Sequence, residues 1–512
     1  MAVMTLDGIH LPWPTITAAL HGPVRVRIAP AAMRRIRAAR AVVEAHGGRD
    51  AAIYGINTGF GIFARTRIAP KALLALQRNF ILSHCSGVGE TLSPAVVRVM
   101  LLAKLHTLTR GYSGVRPVLV RRFVRLLNGD CLSIVPAQGS VGASGDLAPL
   151  AHLAAPLLGC GAVWWRGARL PAAAMLRRMG WRPFTLAAKE GLALANGTQA
   201  MAAVAVAALA LACEVIAHAE IAGALTIEGL LGSVVPFDAR LHRVRPHPGA
   251  RASAAVLRKL LAGSRIVRSH RHCDRVQDPY ALRCIPTVHG VAREAYAAAR
   301  ATVARELDAV TDNPIVFAED DAILSGGNFH GAPVAFAMDQ LAIAMTTLGS
   351  MAERRIEQLT NPKAGELAVR GLTPHPGLHS GYMMAHVTAA SLVSENKTLA
   401  HPASVDTIPT WAGQEDHVSM GMWAARKTLQ IVENTAQIVA IELLCAAQAI
   451  DLHPVRYAPG RGTKAAYAAI RHLVPILRQD RYMAPDLLRI RDTVASAGIR
   501  KVVEENIGEI VE

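Results

Sequence analysis

The run Gly139-Ser-Val-Gly-Ala-Ser-Gly-Asp146 gathers small residues around one tripeptide, Ala143-Ser144-Gly145, whose residue types permit a reaction of the backbone itself. If the fold compresses this stretch, the amide nitrogen of Gly145 can attack the carbonyl carbon of Ala143 and close a five-membered ring. Glycine presents the least hindered nitrogen, and alanine puts little bulk beside the attacked carbon. Loss of two waters, one carrying the Ser144 hydroxyl, leaves an exocyclic methylidene conjugated with the ring. The product is a strong electrophile of a kind no ordinary side chain supplies. Backbone N–H groups at the start of the following helix can stabilise negative charge developing on it. The same composition also suits a flexible or phosphate-cradling loop. However, the lysine of a GxxxxGK[ST] loop is missing, and no strand–glycine–helix unit with an acidic partner accompanies it.

Such a group needs rigid elements around it. Asp146 and Pro149 suit the first turn of a helix that ends near Gly159. Ser93-Pro94 is a capping hydroxyl followed by a first-turn proline, and it opens a helix that stops at Gly111. Residues 24–28 read as a short strand, Pro30 opens another helix, and 164–170 form a small hairpin turning at Arg166-Gly167. From Tyr54 to Phe63, Gly55, Gly59 and Gly61 make a pliable loop. The segments 200–231, 288–310, 333–359, 380–396 and 418–449 are long alanine- and leucine-rich helices, which predicts a bundle. One chain cannot bury every face of such helices, so oligomerisation is expected. The end, 486–512, reads as one mixed-charge surface helix.

The composition narrows the function classes. With 52% of its 512 residues apolar, the chain can offset its ordering entropy and is not a disordered one. The net charge of +17 raises the question of nucleic acid, but the arginines are scattered and no basic stripe alternates with aromatics. The densest cluster, Arg265, Arg268, His270, Arg271, His272 and Arg275, reads as a solvated loop, and no nucleic-acid partner is expected. Seven cysteines without CxxC pairs argue against a zinc site and for a reducing compartment, and no metal is expected. The most apolar stretch, 201–213, is too short to span a bilayer and reads as a core helix. With no secretory signal at the N-terminus, a soluble cytoplasmic protein is expected.

Motifs along nearly the whole chain resemble the aromatic amino acid ammonia-lyase family. They are Tyr54-Gly-Ile-Asn-Thr-Gly-Phe-Gly61, Leu76-Gln-Arg-Asn79, Ser83-His84, the stretch 139–153, Leu194-Ala-Asn-Gly-Thr198, Gln277-Asp-Pro-Tyr-Ala-Leu-Arg283, Gly327-Asn-Phe-His330, Ser394-Glu-Asn-Lys397 and Gln414-Glu-Asp-His-Val-Ser-Met420. The resemblance implies an all-α fold, a long-helix bundle of the aspartase/fumarase type. A smaller N-terminal part (1–200) would carry the catalytic loops, and 201–512 would form the bundle and C-terminal helices, intertwined as one unit. It implies a 4-methylidene-imidazol-5-one group formed autocatalytically from Ala143, Ser144 and Gly145, with no external cofactor. It further implies a homotetramer with shared active sites acting on a small amino acid substrate.

Within the family the resemblance is strongest to the branch acting on histidine. That implies non-oxidative elimination of ammonia from L-histidine to give trans-urocanate, the first step of histidine degradation. Tyr54 matches the family's base, and a phenol titrating at about 10 must have its phenolate favoured by donors or positive charge. Arg283 matches a carboxylate clamp. Asn196 and Tyr280 match positions near the electrophile and the substrate's carboxylate and amine, and Gln277 and Phe329 match pocket positions. His84 and Glu415 match positions contacting the imidazole, where a carboxylate accepts its N–H and a histidine completes the bonding. Ile285, Thr287, Gly331, His386 and Trp411, the last in place of a small residue, depart from the histidine pattern. They keep open a tyrosine or broad aromatic ammonia-lyase, or a 2,3-aminomutase.

Overall fold

Alanine and leucine at helical spacing set the scaffold. In the computed structural model, helices account for 61% of the chain, which is all-α in class. The structure describes residues 3–47, 52–271, 273, 275–361, 369–454 and 456–510. His272 of the basic cluster and the last two residues therefore lie outside the described residues. The five long helices run Gln199–Gly229, Ile285–Leu307, Ala332–Thr360, Met383–Leu399 and Gly421–Asp451. The chain divides into two compact units. Unit 1 comprises Met1–Ala207, Arg300–Asp339 and Pro402–Arg426, and unit 2 comprises Ala208–Ala299, Gln340–His401 and Lys427–Glu512. Residues 300–339 and 402–426 thus pack with the N-terminal stretch.

Unit 1 holds the small sheets. Val3–Leu6 pairs in parallel with Arg25–Ile28, and Ala162–Trp165 forms a hairpin with Ala168–Pro171 through Arg166 and Gly167 at positive φ. Val88–Thr91 pairs with Pro136–Gln138, so an antiparallel rung delivers the chain directly to Gly139. The helix Pro94–Thr109 follows the first of these strands and is buried from Val96 onward. The Ser93 hydroxyl accepts its Val96 N–H at 3.3 Å, as a serine before proline should.

In unit 2, Arg355 and Glu442 form a fully buried two-pronged pair at 2.5 and 2.8 Å, with Thr226 donating to the same carboxylate. A pair this dry stands only because nearly every lone pair has a donor. Two sequence expectations need correction. The C-terminal stretch is two helices, Ala484–Ala495 and Gly498–Ile507, because Ala497 adopts a left-handed conformation between them. The apolar run at 201–213 belongs to a 31-residue helix, so its length would allow it to cross a bilayer, as would Ala332–Thr360 and Gly421–Asp451. Burial argues instead for core: 72% of the most apolar window of each helix is already inside the protein.

Candidate active site

The tripeptide sits in a turn that leaves it almost no room. Ser144 has φ +53°, between Gly142 at +85° and Gly145 at +77°. A Cβ on Gly145 would lie 2.3 Å from the Gly197 carbonyl oxygen, and one on Gly142 would lie 2.2 Å from Ser419 Oγ. Gly145 therefore requires glycine for space as well as for backbone conformation, and Gly142 chiefly for its positive φ. The Gly145 N–H donates to the Gly142 carbonyl at 3.2 Å, and the Asp146 N–H donates to the Gly197 carbonyl at 2.8 Å. Asn196 Nδ2 donates to the Ser144 carbonyl oxygen at 2.5 Å and to its hydroxyl at 2.8 Å. The residues and the tightness of this turn fit the ring their chemistry permits. The donor at the Ser144 carbonyl is the Asn196 amide, where helix N–H groups were expected.

Asn196 and Asp146 are anchored by groups that sequence reasoning missed or misplaced. Asn196 follows the helix Glu190–Ala195 in extended conformation, and its own carbonyl accepts from Lys104 Nζ at 2.9 Å. Lys104 also donates to the Ala193 carbonyl at 3.0 Å. It is fully buried, and burial pushes its ammonium down to about 8 against the pull of Asp312 and Asp146. A lysine inside the otherwise apolar run 99–105 was the available signal for it. Asp146 does not cap the helix it precedes. Its Oδ2 accepts from the Ala200 and Met201 N–H groups at 2.8 and 2.9 Å, at the start of Gln199–Gly229. A carboxylate on the first turn of a 31-residue helix satisfies otherwise orphaned donors and meets its dipole.

Tyr54 lies just before a flap, residues 60–65, that packs over its hydroxyl. Asn57, Thr58 and Gly59 close a neck with Thr66, Arg67 and Ile68: Gly59 N–H donates to Thr66, and Ile68 N–H donates to Asn57, each at 2.9 Å. Beyond the neck is a short 3-10 helix, Gly61–Arg65. The Gly61 N–H points at the Tyr54 hydroxyl at 3.3 Å. Burial raises the phenol above its ordinary pKa, the Gly61 donor works against this, and the Glu415 charge reinforces it. Within unit 1 the balance favours the protonated phenol, where the sequence expectation was an environment favouring phenolate. Burial outweighs the one donor there.

His84 ends the helix Leu73–His84. Its Nδ1 is 2.7 Å from the Phe80 carbonyl, which fixes the proton on Nδ1 and leaves Nε2 as an acceptor. Burial lowers its pKa, so the ring is neutral at pH 7. Stacked or edge contacts run Tyr54–Phe60–Phe80–His84, with centroids 6.3, 4.4 and 4.0 Å apart. Glu415 accepts from the Thr410 hydroxyl at 2.6 Å, a partner nothing in the sequence announced.

Tyr54, His84, Ser144, Trp411 and Glu415 line one cavity of about 570 Å³ in unit 1. Phe329 lines a second, of about 530 Å³, which shares Tyr54, Gly61, Ser144 and Glu415 and adds Ala143. Gln277 and Arg283 line a cavity in unit 2, where the Arg283 guanidinium lies over the Tyr280 ring at 4.7 Å. Tyr280 is 70% exposed, and Arg283 Nε is buried without a hydrogen-bond partner among the described residues. The structure thus brings Tyr54, His84, Ala143, Ser144, Gly145, Asn196, Phe329 and Glu415 together in unit 1 and holds the other three in unit 2. Among the described residues, no group of three or more His, Cys, Asp or Glu is placed to hold a metal ion.

A helical scaffold with a compressed Ala-Ser-Gly turn facing a tyrosine flap defines a class, and the comparisons agree with it. The model of the family described as aromatic amino acid lyase matches residues 11–472, and the chain belongs to that family. It is 49% identical over 506 residues to the histidine ammonia-lyase of Stigmatella aurantiaca, covering 98% of each protein. The crystal structure of histidine ammonia-lyase from Trypanosoma cruzi superposes with a TM-score of 0.90 at 40% identity, covering 99% of this chain and 96% of that one. The tyrosine aminomutase of Streptomyces globisporus superposes at 0.93 with 34% identity, over the full length of both.

Proposed function

We propose that the chain eliminates ammonia from L-histidine to give trans-urocanate. The carrying observation is the convergence of His84, Glu415, Tyr54 and Ser144 on one cavity, supported by the full-length similarity to histidine ammonia-lyases. Ala143, Ser144 and Gly145 would carry the 4-methylidene-imidazol-5-one group, which supplies an electrophile for the substrate amine. The chain's own groups do the rest. Asn196 holds the Ser144 carbonyl oxygen and steadies charge there. His84 Nε2 accepts the imidazole N–H of the substrate, with the Glu415 carboxylate as the second acceptor in reach of that ring. Tyr54, once ionised, takes the β-proton.

The Arg283 guanidinium clamps the substrate carboxylate, with Tyr280 and Gln277 beside it. These three enter the site from another copy of the chain, in a homotetramer with shared sites. Exposure of the Tyr280 ring and the unpartnered Arg283 Nε support this. The incoming guanidinium also supplies positive charge that the Tyr54 phenolate lacks within unit 1. All seven cysteines are free thiols, which supports a cytoplasmic setting.

The test is an ultraviolet assay of purified protein with L-His, L-Tyr and L-Phe. Urocanate from L-His at the highest kcat/KM is expected. Preferential coumarate or cinnamate, or a β-amino acid as main product, would reject histidine elimination. Intact mass should show a deficit of two waters.

A further inference from the structure

Trp411 is the departure from the histidine pattern that the fold puts to use. The turn it belongs to runs from Thr410 to Glu415 and is closed at both ends. Thr410 and Glu415 pair in antiparallel fashion, the Thr410 N–H donating to the Glu415 carbonyl at 3.0 Å, and the Thr410 hydroxyl holds the Glu415 carboxylate at 2.6 Å. Within the turn, Trp411 and Ala412 both adopt left-handed backbone, at φ +51° and +54°. Side-chain-bearing residues rarely take this conformation in succession, and it persists where surrounding contacts impose it. Here the contacts are on the flap that covers the Tyr54 hydroxyl. The Trp411 and Phe63 rings meet edge to face at 5.8 Å. Gly61, whose N–H faces the Tyr54 hydroxyl, lies so close to the indole that a Cβ there would sit 1.9 Å from Trp411 Nε1.

From this we infer that Trp411 is a positioning residue, a latch that holds the 60–65 flap over the Tyr54 hydroxyl and against the Glu415 turn. One six-residue turn carries the carboxylate that reads the substrate ring and, next to its bonding partner, the indole that fixes the flap over the base. Seating of a substrate on Glu415 therefore steadies the same turn that presses on Gly61 and Phe63. The latch acts on kcat through the placement of the Tyr54 hydroxyl, not through a contact that Trp411 makes with the reacting atoms. This inference rests on Tyr54 being the base, as proposed above.

Two measurements on the intact protein test it. Amide hydrogen exchange of the free enzyme should show residues 59–66 exchanging about tenfold faster in Trp411→Ala than in the wild type, with the segment 139–146 unchanged. In turnover of L-histidine, Trp411→Ala should lower kcat about tenfold with a smaller change in KM, and Trp411→Phe should restore most of it. A double-mutant cycle approaches the contact from both sides: Phe63→Ala should cost little more once Trp411 is already alanine. Wild-type exchange at 59–66 in Trp411→Ala, or fully additive effects of the two alanines, would overturn the latch. Should Trp411→Ala fail to fold, the Phe63→Ala exchange at 59–66 decides in the same way. The exchange measurement uses no substrate, so it stands or falls independently of whether histidine is the amino acid consumed.

Discussion

Two loops face the same cavity and are held in different ways. The stretch from Gly139 to Asp146 is tightly boxed in: the Gly197 backbone lies against Gly145, the Ser419 hydroxyl against Gly142, and the Asp146 carboxylate is fastened to the first turn of a long helix. The 60–65 flap over Tyr54 hangs from a neck of a few hydrogen bonds and is otherwise kept in place by ring contacts of Phe60 with Phe80 and of Phe63 with Trp411. The difference follows the chemistry each must do. A backbone condensation needs its reacting atoms forced together before any substrate arrives, so rigidity serves it. A base that a substrate must reach and that must then be covered needs a cover that opens at low cost.

The sharpest way to break this contrast is Ser144→Ala. It should abolish turnover, by more than about a thousandfold, while circular dichroism and assembly stay as in the wild type and the mass deficit disappears. Full activity in that variant would remove the electrophile altogether. Tyr54→Phe should keep the mass deficit yet slow elimination by about a hundredfold or more; normal elimination would mean that another group is the base.

A matched pair of glycine variants compares the loops directly. Gly145→Ala places a methyl against the Gly197 backbone, which cannot yield, and should prevent ring closure. Gly61→Ala, on the movable flap, meets the edge of the Trp411 indole, and should lower kcat about tenfold with the ring intact. Equal loss of the mass deficit in both would show that the flap also shapes the condensation.

The smallest expected effect is on pH dependence. Glu415 raises both the Tyr54 and the His84 pKa. Removing its charge lowers both, so in Glu415→Gln the alkaline-rising limb, set by phenolate formation, and the acid limb, set by protonation of His84 Nε2, should each move to lower pH. KM for L-histidine should rise about tenfold as one charged hydrogen bond is lost. Limbs that stay in place in the kcat/KM profile would mean that other groups titrate.

What the sequence disclosed divides along similar lines. The capped start at Ser93-Pro94, the five long helices and the Ala143-Ser144-Gly145 turn were legible because each rests on local chemistry: a cap, a period, a set of residue types. The supports of the site were not, since they join residues far apart in the chain. Nothing near Lys104 points to the carbonyls of Ala193 and Asn196. The Thr410 hold on Glu415 is the exception in span, only five residues, but it depends on left-handed backbone at Trp411 and Ala412 that the residue types do not announce. Asp146 shows the limit best. Its place before a helix suggested the nearest N-terminus, while the fold assigned its carboxylate to another helix more than fifty residues on. The return of 300–339 and 402–426 to unit 1 is equally invisible to periodicity, because an alanine-rich helix reads the same whichever neighbours bury it.

The grip of Asp146 on Ala200 and Met201 has an engineering consequence. The condensing tripeptide is bolted to the end of a beam that runs on to Gly229, so its location is inherited from the register of that beam. Inserting or deleting a single residue early in the helix would rotate the anchoring amides by about 100° and tear the bolt out. Replacing the turn that carries Trp411 and Glu415 disturbs no part of it. Selection for new amino acid substrates can therefore work on the turn while the warhead mount stays fixed.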